Sequence, residues 1–336
     1  MLETDSSHMQ KSADEEQGNL DILVNSGISL QDINKLRASG ICTLKGILMT
    51  PRKSLVKIKG LSDIKIEKMK DVVNKLLNVD FMTASAYAVK RAQLYRISTG
   101  SSDFDALLGG GIQTMSITEV FGEFRTGKTQ LATTMCITVQ LSEELGGANG
   151  KAAFIDTEGT FRPERLREIA VRFNLDPDEA LDNVIYARAY NSEHQNELVQ
   201  NLTVKFAEDP KYKILVVDSI ISLFRVDFSG RGELGERQQK LNQFLSKLIN
   251  ISEEFNIAVF ITNQMMADPS GAMTFVADPK KPIGGHVLAH ASTTRISLRK
   301  GRGETRVAKI YDSPDYAESE ATYAITEGGI SNATDS

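Results

Sequence analysis

One run of eight residues, Gly122-Glu123-Phe124-Arg125-Thr126-Gly127-Lys128-Thr129, constrains this chain more than any other. It has the spacing G-x-x-x-x-G-K-[ST], follows an apolar, β-branched run at 115–121 and opens a helical pattern at Gln130. In a strand–loop–helix setting that spacing builds a phosphate cradle. Gly122 and Gly127 let the backbone fold tightly and turn its N–H groups inward. Lys128 reaches the β- and γ-phosphates, and the Thr129 hydroxyl is a ligand for Mg²⁺. The cradle's strand–loop–helix setting opens an alternation of strand and helix patterns, which predicts a mainly parallel sheet covered by helices on both faces.

The rest of the chain from about residue 99 agrees. Apolar runs at 152–156, 214–218 and 257–262 alternate with long helical stretches, which predicts an α/β core. Runs at 294–298 and 306–311 flank a short turn and read as a hairpin, and 321–326 reads as a further strand. Three strand ends carry chemistry. Asp218 ends a buried strand and is expected beside the cradle, as the second metal partner with Thr129. Asp156 and Glu158 lie at the same edge, and either could orient a water for in-line attack on a phosphate. Gln264 follows the strand at 257–262, where its amide could hydrogen-bond a γ-phosphate and report its loss.

Three other regions resist absorption into that core. Residues 1–18 hold five acidic side chains against Lys11 and read as a disordered acidic tail. Residues 19–80 reverse the balance, with eleven Lys and Arg against six Asp and Glu, a local charge of +5. Their pattern is helical, with N-caps expected at Ser29 and Ser62. Ile64, Met69, Val72, Val73, Leu76 and Leu77 are expected to form the apolar stripe of the helix that ends at Leu77. A short helix, a turn at Gly60 and a capped helix make a helix-hairpin-helix candidate. Its free N–H groups would face a DNA phosphate with Lys57, Lys59 and Lys65 nearby; a plain bundle with a solvated basic face is the alternative. In the linker 81–98, Phe81, Ala84, Tyr87 and Ala88 make an apolar face that either packs on its own domain or docks on a neighbour.

Two stretches fit neither strand nor helix. Residues 225–236 carry Arg225, Arg231 and three glycines, and 265–285 carry Met265, Met266, Met273, Phe275 and Val276 beside Lys280 and Lys281. Apolar tips next to lysines suit insertion between bases with backbone contacts alongside; a mobile lid over the nucleotide is the other reading. Overall the chain is acidic, with a net charge of −5, so any polyanion must be held by local basic surfaces and not by bulk charge. Two cysteines exclude a disulfide scaffold and a four-thiolate zinc site, and point to a reducing compartment, cytosol or nucleus. No run of apolar residues is long enough for a membrane span, and no membrane partner is expected.

These motifs together resemble the eukaryotic RecA-type strand-exchange recombinases from about Asn19 to Gly329. The resemblance is carried by GEFRTGKTQ at 122–130, IDTEGTFRPERL at 155–166, VVDS at 216–219, ADPKKPIGGH at 277–286, LAHASTTR at 288–295 and RKGRGE at 299–304. ISLFRVDFSGRGEL at 221–234 and ERQQKL at 236–241 look like the meiosis-specific branch. The resemblance implies an ATP- and Mg²⁺-dependent nuclear protein with a RecA-type core at 99–336 behind a helix-hairpin-helix domain. It implies filaments or rings on single-stranded DNA, search of double-stranded DNA, and recombination mediator proteins as partners. It makes Glu158 the catalytic base, with Lys128 and Gln264 beside it, puts Arg165 on the adenine, and sets Asp312 and His290 toward ATP on an adjoining protomer. Arg225, Arg231, Arg237, Met265, Met273 and Phe275 become DNA contacts, and Phe81 and Ala84 a polymerisation clip. A non-exchanging adaptor paralogue and a RecA-fold helicase motor are the alternatives. One departure from the family pattern is Asp315-Tyr316-Ala317, which lacks a second proline after Pro314.

Overall fold

The computed structural model describes residues 19–230, 232–267 and 280–333. The acidic stretch 1–18, Arg231, Met273 and Phe275 lie outside the described residues. The chain divides into two compact units. One comprises the described residues up to Gln93 with Val199–Pro210, and the other Leu94–Leu198 with the described residues from Lys211.

The first unit is helical. Helix α1 (Leu30–Ala38) is capped by Ser29, whose side chain accepts the Asp32 N–H at 3.2 Å. Helix α2 (Asp63–Leu77) is capped in the same way by Ser62, and ends on Asn78 in the left-handed conformation. The buried positions of α2 are Ile66, Met69 and Val73. Ile64, expected in the stripe, is 80% exposed and Leu76 is 46% exposed. Spacings of three and four residues from Ile66 define one face, and Ile64, two residues away from Ile66, falls outside it. One carboxylate organises the charges of this unit. Asp32 is buried, accepts from Lys65 Nζ at 2.8 Å and Lys35 Nζ at 2.9 Å, and bonds the Ser29 hydroxyl.

The second unit is built on one nine-stranded sheet. Its strands in chain order are β1 (Ser116–Gly122), β2 (Lys151–Asp156), β3 (Val184–Arg188), β4 (Tyr212–Asp218), β5 (Ala258–Asn263), β6 (Thr294–Lys300), β7 (Thr305–Asp312), β8 (Glu320–Thr326) and β9 (Gly329–Asn332). Their order across the sheet is β9-β8-β7-β6-β1-β5-β4-β2-β3. The six strands from β6 to β3 run parallel, and β7, β8 and β9 extend the sheet antiparallel. The carboxyl ends of β1, β5, β4 and β2 therefore lie side by side along one edge, where parallel sheets hold their ligands. Helix α3 (Lys128–Thr138) follows the cradle and is buried from Leu131 to Thr138 on every face, so it belongs to the core.

Strand β3 escapes the sequence pattern because it closes the sheet edge and none of its residues is fully buried. The irregular stretch at 225–236 is shorter than its glycines suggest. Arg225 lies in the helix Ser222–Asp227, which buries Leu223 and Phe224, and a long helix α4 (Leu234–Phe255) starts at Leu234. The stretch at 265–285 has a base of paired strands, Met265–Ala267 against Lys280–Pro282. Tyr316, at the departure after Pro314, accepts a hydrogen bond from Arg96 at 2.6 Å and packs against the core. Among the described residues no helix is long and apolar enough to cross a membrane.

Burial would raise the Asp32 pKa, but the Lys65, Lys35 and Ser29 hydrogen bonds outweigh it and hold the carboxyl well below the ordinary range. A depressed folded-state pKa stabilises fully above the unfolded value of about 4 and is lost as pH falls through the folded value. Asp32→Asn should therefore lower the urea midpoint at neutral pH, by about 2–3 kcal/mol of stability. The gap to the wild type should close progressively below about pH 4.

Candidate nucleotide site

The cradle is shaped by close approaches. Gly122 ends β1, where a Cβ would collide with the Leu298 carbonyl and meet Thr126 Oγ1 at 2.8 Å. Gly127 has φ +96° at the start of α3, and a Cβ there would meet Ile325 Cδ1 at 2.8 Å. Within the loop, Thr126 is buried and donates to the Glu123 carbonyl at 2.8 Å. From outside it, the buried Tyr323 of β8 donates to the Thr126 carbonyl at 2.8 Å, and Arg306 of β7 donates to the Arg125 carbonyl at 3.2 Å. No residue near Tyr323 or Arg306 in the chain announces this brace. The run at 321–326 reads only as a further strand.

Lys128 Nζ donates to the carbonyls of Gly122 and Glu123, each at 2.9 Å. Burial lowers its pKa, and the Asp218 and Glu158 charges oppose that. Its ammonium is thus folded onto the loop's own oxygens, at the place where phosphate oxygens are expected.

Asp218 ends β4 and is buried. Thr129 Oγ1 donates to its Oδ2 at 2.6 Å, and the Thr262 hydroxyl donates to its Oδ1. Burial pushes its pKa up against both hydroxyls, and the nearby Glu158 and Asp156 charges add to the rise. A hydroxyl and a carboxylate in contact are hard oxygen donors, which fit Mg²⁺. Among the described residues no group of three or more His, Cys, Asp or Glu forms a metal cage. Mg²⁺ requires none, because it keeps most of its shell as water and phosphate oxygen.

The two acids past β2 separate cleanly. Asp156 accepts the N–H groups of Gly159 at 2.7 Å, Glu158 at 2.8 Å and Phe161 at 3.2 Å, and pairs with Arg188 at 2.9 Å. Burial opposes ionisation, yet those amides and the Arg188 charge hold its pKa below the ordinary range. Asp156 is consumed in building the turn that presents Glu158. Glu158 accepts from Gln264 Nε2 at 2.6 Å, and Gln264 Oε1 accepts from Arg225 at 3.2 Å. A continuous polar path therefore joins the β2 edge to the helix that precedes the stretch at 228–233.

Lys128, Thr129, Glu158, Asp218 and Gln264 converge on this edge. Arg165, on the helix Pro163–Arg172, donates to Gln130 at 2.9 Å and to the Thr326 and Glu327 carbonyls, which ties the helix after the cradle to the β8–β9 turn. Asp312, at the end of β7, and His290, on the helix Gly285–Ala291, are exposed. Among the described residues no hydrogen bond joins either to that group. Of the basic residues read as DNA contacts, Lys57 and Lys59 are exposed. Lys65 is engaged by Asp32. Arg237 is part-buried, and its Nε has no hydrogen-bond partner among the described residues.

A parallel sheet with this cradle, this acidic edge and an antiparallel extension defines a RecA-type P-loop ATPase. The chain belongs to the Rad51 family, whose model matches residues 90–333. It is 63% identical over 315 residues to the Meiotic recombination protein DMC1/LIM15 homolog of Homo sapiens, covering 94% of this chain and 93% of that protein. It is 56% identical to the Meiotic recombination protein DMC1 homolog of Arabidopsis thaliana, over 94% of this chain and 91% of that protein. It is also 57% identical to the Meiotic recombination protein DLH1 of Candida albicans, over 93% and 96%.

Two substitutions separate the roles at this edge. Lys128→Ala should abolish binding of a fluorescent ATP analogue, since it removes the ammonium held at the cradle's own oxygens. Glu158→Gln keeps the hydrogen-bonding shape and removes the carboxylate read as the base. It should bind the analogue normally and hydrolyse ATP about 100-fold more slowly or worse. Unchanged turnover would move the base away from Glu158, and Asp156, already committed to three amides and Arg188, could not take its place.

Proposed function

We propose that this chain is an ATP-dependent recombinase that polymerises on single-stranded DNA, pairs it with homologous duplex and exchanges strands, acting in meiosis in the nucleus. The observation that carries this reading is the path Glu158–Gln264–Arg225. It joins the nucleotide edge to the segments assigned to DNA, which is the connection a polymer controlled by ATP requires. High identity to meiotic recombination proteins over nearly the whole chain supports the same reading.

The residues divide the work as follows. The cradle's inward N–H groups and Lys128 hold the β- and γ-phosphates and neutralise charge that develops on them. Thr129 and Asp218 would hold Mg²⁺, which would supply further charge neutralisation at the phosphates. Glu158 takes the proton of the attacking water. While a γ-phosphate is in place it competes for the Gln264 amide and draws it from Glu158. Gln264 then fixes the loop that follows it. Hydrolysis removes that anchor and loosens the hold on DNA. Arg225, Arg231 and Arg237 contact backbone phosphates, and Met265, Met273 and Phe275 separate or stack bases, so the protein reads no sequence and homology comes from base pairing. Lys57 and Lys59, at the hairpin of the first unit, hold duplex DNA; the Asp32 pairing makes Lys65 the weakest of that set. Arg165 lies against the adenine, and Asp312 and His290 act on ATP in the adjoining protomer. Mediator proteins load the polymer.

Assembly rests on the linker. Phe81 is fully exposed, and the helix Ala84–Arg91 buries none of its residues. Packing of this segment on its own domain is therefore not observed, and the clip Phe81–Ala84 is free to dock on a neighbour. Phe81→Glu places a charge in the apolar pocket that should receive the ring, at a cost of about 3 kcal/mol or more per contact. The variant should stay folded and bind ATP weakly, but should not sediment as a polymer with ATP and single-stranded DNA. Strand exchange should vanish with the polymer. Large oligomers of Phe81→Glu would sink the clip assignment, whereas wild-type protein that unwinds duplex without exchanging strands would indicate a helicase motor.

A further inference from the structure

Glu119 lies in the middle of β1 with no exposed surface. Its two carboxylate oxygens are held by different strands. Oε2 accepts from Arg295 Nε of β6 at 2.6 Å, and Oε1 accepts from Asn263 Nδ2, at the end of β5, at 2.7 Å. The Arg295 side chain is 8% exposed, so this ion pair is cut off from water. A buried ion pair seldom stabilises more than apolar residues of the same volume, so stability alone does not account for it.

Its neighbours suggest another use. The Asn263 side chain holds both ends of the excursion assigned to DNA. Besides Glu119, Nδ2 donates to the Ile283 carbonyl at 2.7 Å, and Oδ1 accepts the Gln264 N–H at 2.8 Å. The Ile283 N–H returns a bond to the Gln264 carbonyl at 3.0 Å. On the other side, Arg295 stands opposite Asp312 in the β6–β7 pairing, while Ile296 stands opposite Ile310. Tyr311 is thus the extra residue of a bulge, a device that re-aims side chains at a sheet edge. The Arg295 guanidinium lies 5.2 Å from the Tyr311 ring centroid and 5.4 Å from that of Phe121, and those two rings meet edge to face at 5.0 Å. The bulge that presents Asp312 is therefore packed onto the same arginine that Glu119 holds.

We propose that Glu119, Asn263 and Arg295 are positioning residues that lock the root of the 264–283 excursion to the strand edge bearing Asp312. DNA held by the excursion and nucleotide held at the interface with the next protomer then act on one rigid piece of the sheet. The inference rests on the roles given above to that excursion and to Asp312. None of the three residues contacts substrate; they act through Gln264 and Asp312.

The test uses two full-length variants. Glu119→Met/Arg295→Met replaces the pair with apolar side chains of similar volume, and Asn263→Ala leaves the pair intact but releases the loop root. Three quantities are measured: thermal melting, hydrogen exchange of peptides spanning Gln264 and Ile283, and ATP hydrolysis with and without single-stranded DNA. Both variants should exchange faster at the loop root and lose about fivefold or more of the stimulation by DNA, with DNA-independent hydrolysis far less affected. For the double variant the melting temperature should stay near that of the wild type. Wild-type exchange and stimulation in both variants would overturn the proposal, as would a loss confined to melting. Wild-type protein whose hydrolysis ignores DNA would instead bring down the proposed function. The exchange measurement would still decide whether the three residues lock the loop root.

Discussion

A carboxylate removed from water at the end of a buried strand must be satisfied, and Asp218 is satisfied by the hydroxyls of Thr129 and Thr262. Those two bonds place the first turn of the helix after the cradle against the ends of β4 and β5. The cradle therefore has its orientation fixed on the inside by a single acid whose ionisation is already disfavoured by burial. On the outside the antiparallel extension does the same task. Tyr323 and Arg306 take the carbonyls of Thr126 and Arg125, and Ile325 fills the space a Gly127 side chain would need. The extra strands are thus part of the phosphate site, because the start of β7 and the end of β8 reach the edge where the parallel strands end.

The same economy governs the mobile groups. Lys128 is occupied by the carbonyls of Gly122 and Glu123, and Gln264 by Glu158 and Arg225. For Lys128 the internal partners are neutral carbonyls, and a charged phosphate oxygen in their place would add ionic attraction. Exchange of partners then requires no unsatisfied intermediate. Asp156 differs: three amides and Arg188 converge on it, so its position is set by the turn itself.

What the sequence made legible follows from how local each constraint is. The cradle, the caps at Ser29 and Ser62, and the strands ending at Asp156 and Asp218 are set by neighbouring residues, and they appear in the structure where the pattern put them. Features set by distant partners were not legible. Nothing near Tyr323 announces that its hydroxyl reaches Thr126, and nothing near Glu119 announces Arg295. Strand β3 was missed because an edge strand with half-exposed residues lacks the continuous apolar run of its buried neighbours. Charge counting also overstated the free basic surface of the first unit. Lys35 and Lys65 serve Asp32, Lys68 donates to the Gly27 carbonyl, and Lys70 donates to those of Leu48 and Thr50. A count of lysines sees the charge but not its partner.

The linker carries an apolar face that the protomer leaves exposed. The helix Ala84–Arg91 has eight residues and buries none of them, with Tyr87 and Val89 more than half exposed beside Phe81. A helix that short gains too few hydrogen bonds to offset the cost of its first turn, even with the Thr83 hydroxyl capping the Ala86 N–H. Helices of this length persist where an apolar face is covered. In a polymer each protomer would cover the face of the next, so the helix would be ordered by the contact it makes. Ordering and assembly then share one free energy. A chain that is acidic overall also repels its own copies, and a negatively charged polymer of subunits gains from a cationic route for DNA along it. Of the eight basic residues in 280–309, Arg295, Arg299 and Lys309 are paired with Glu119, Glu320 and Glu318, so such a route cannot draw on those three.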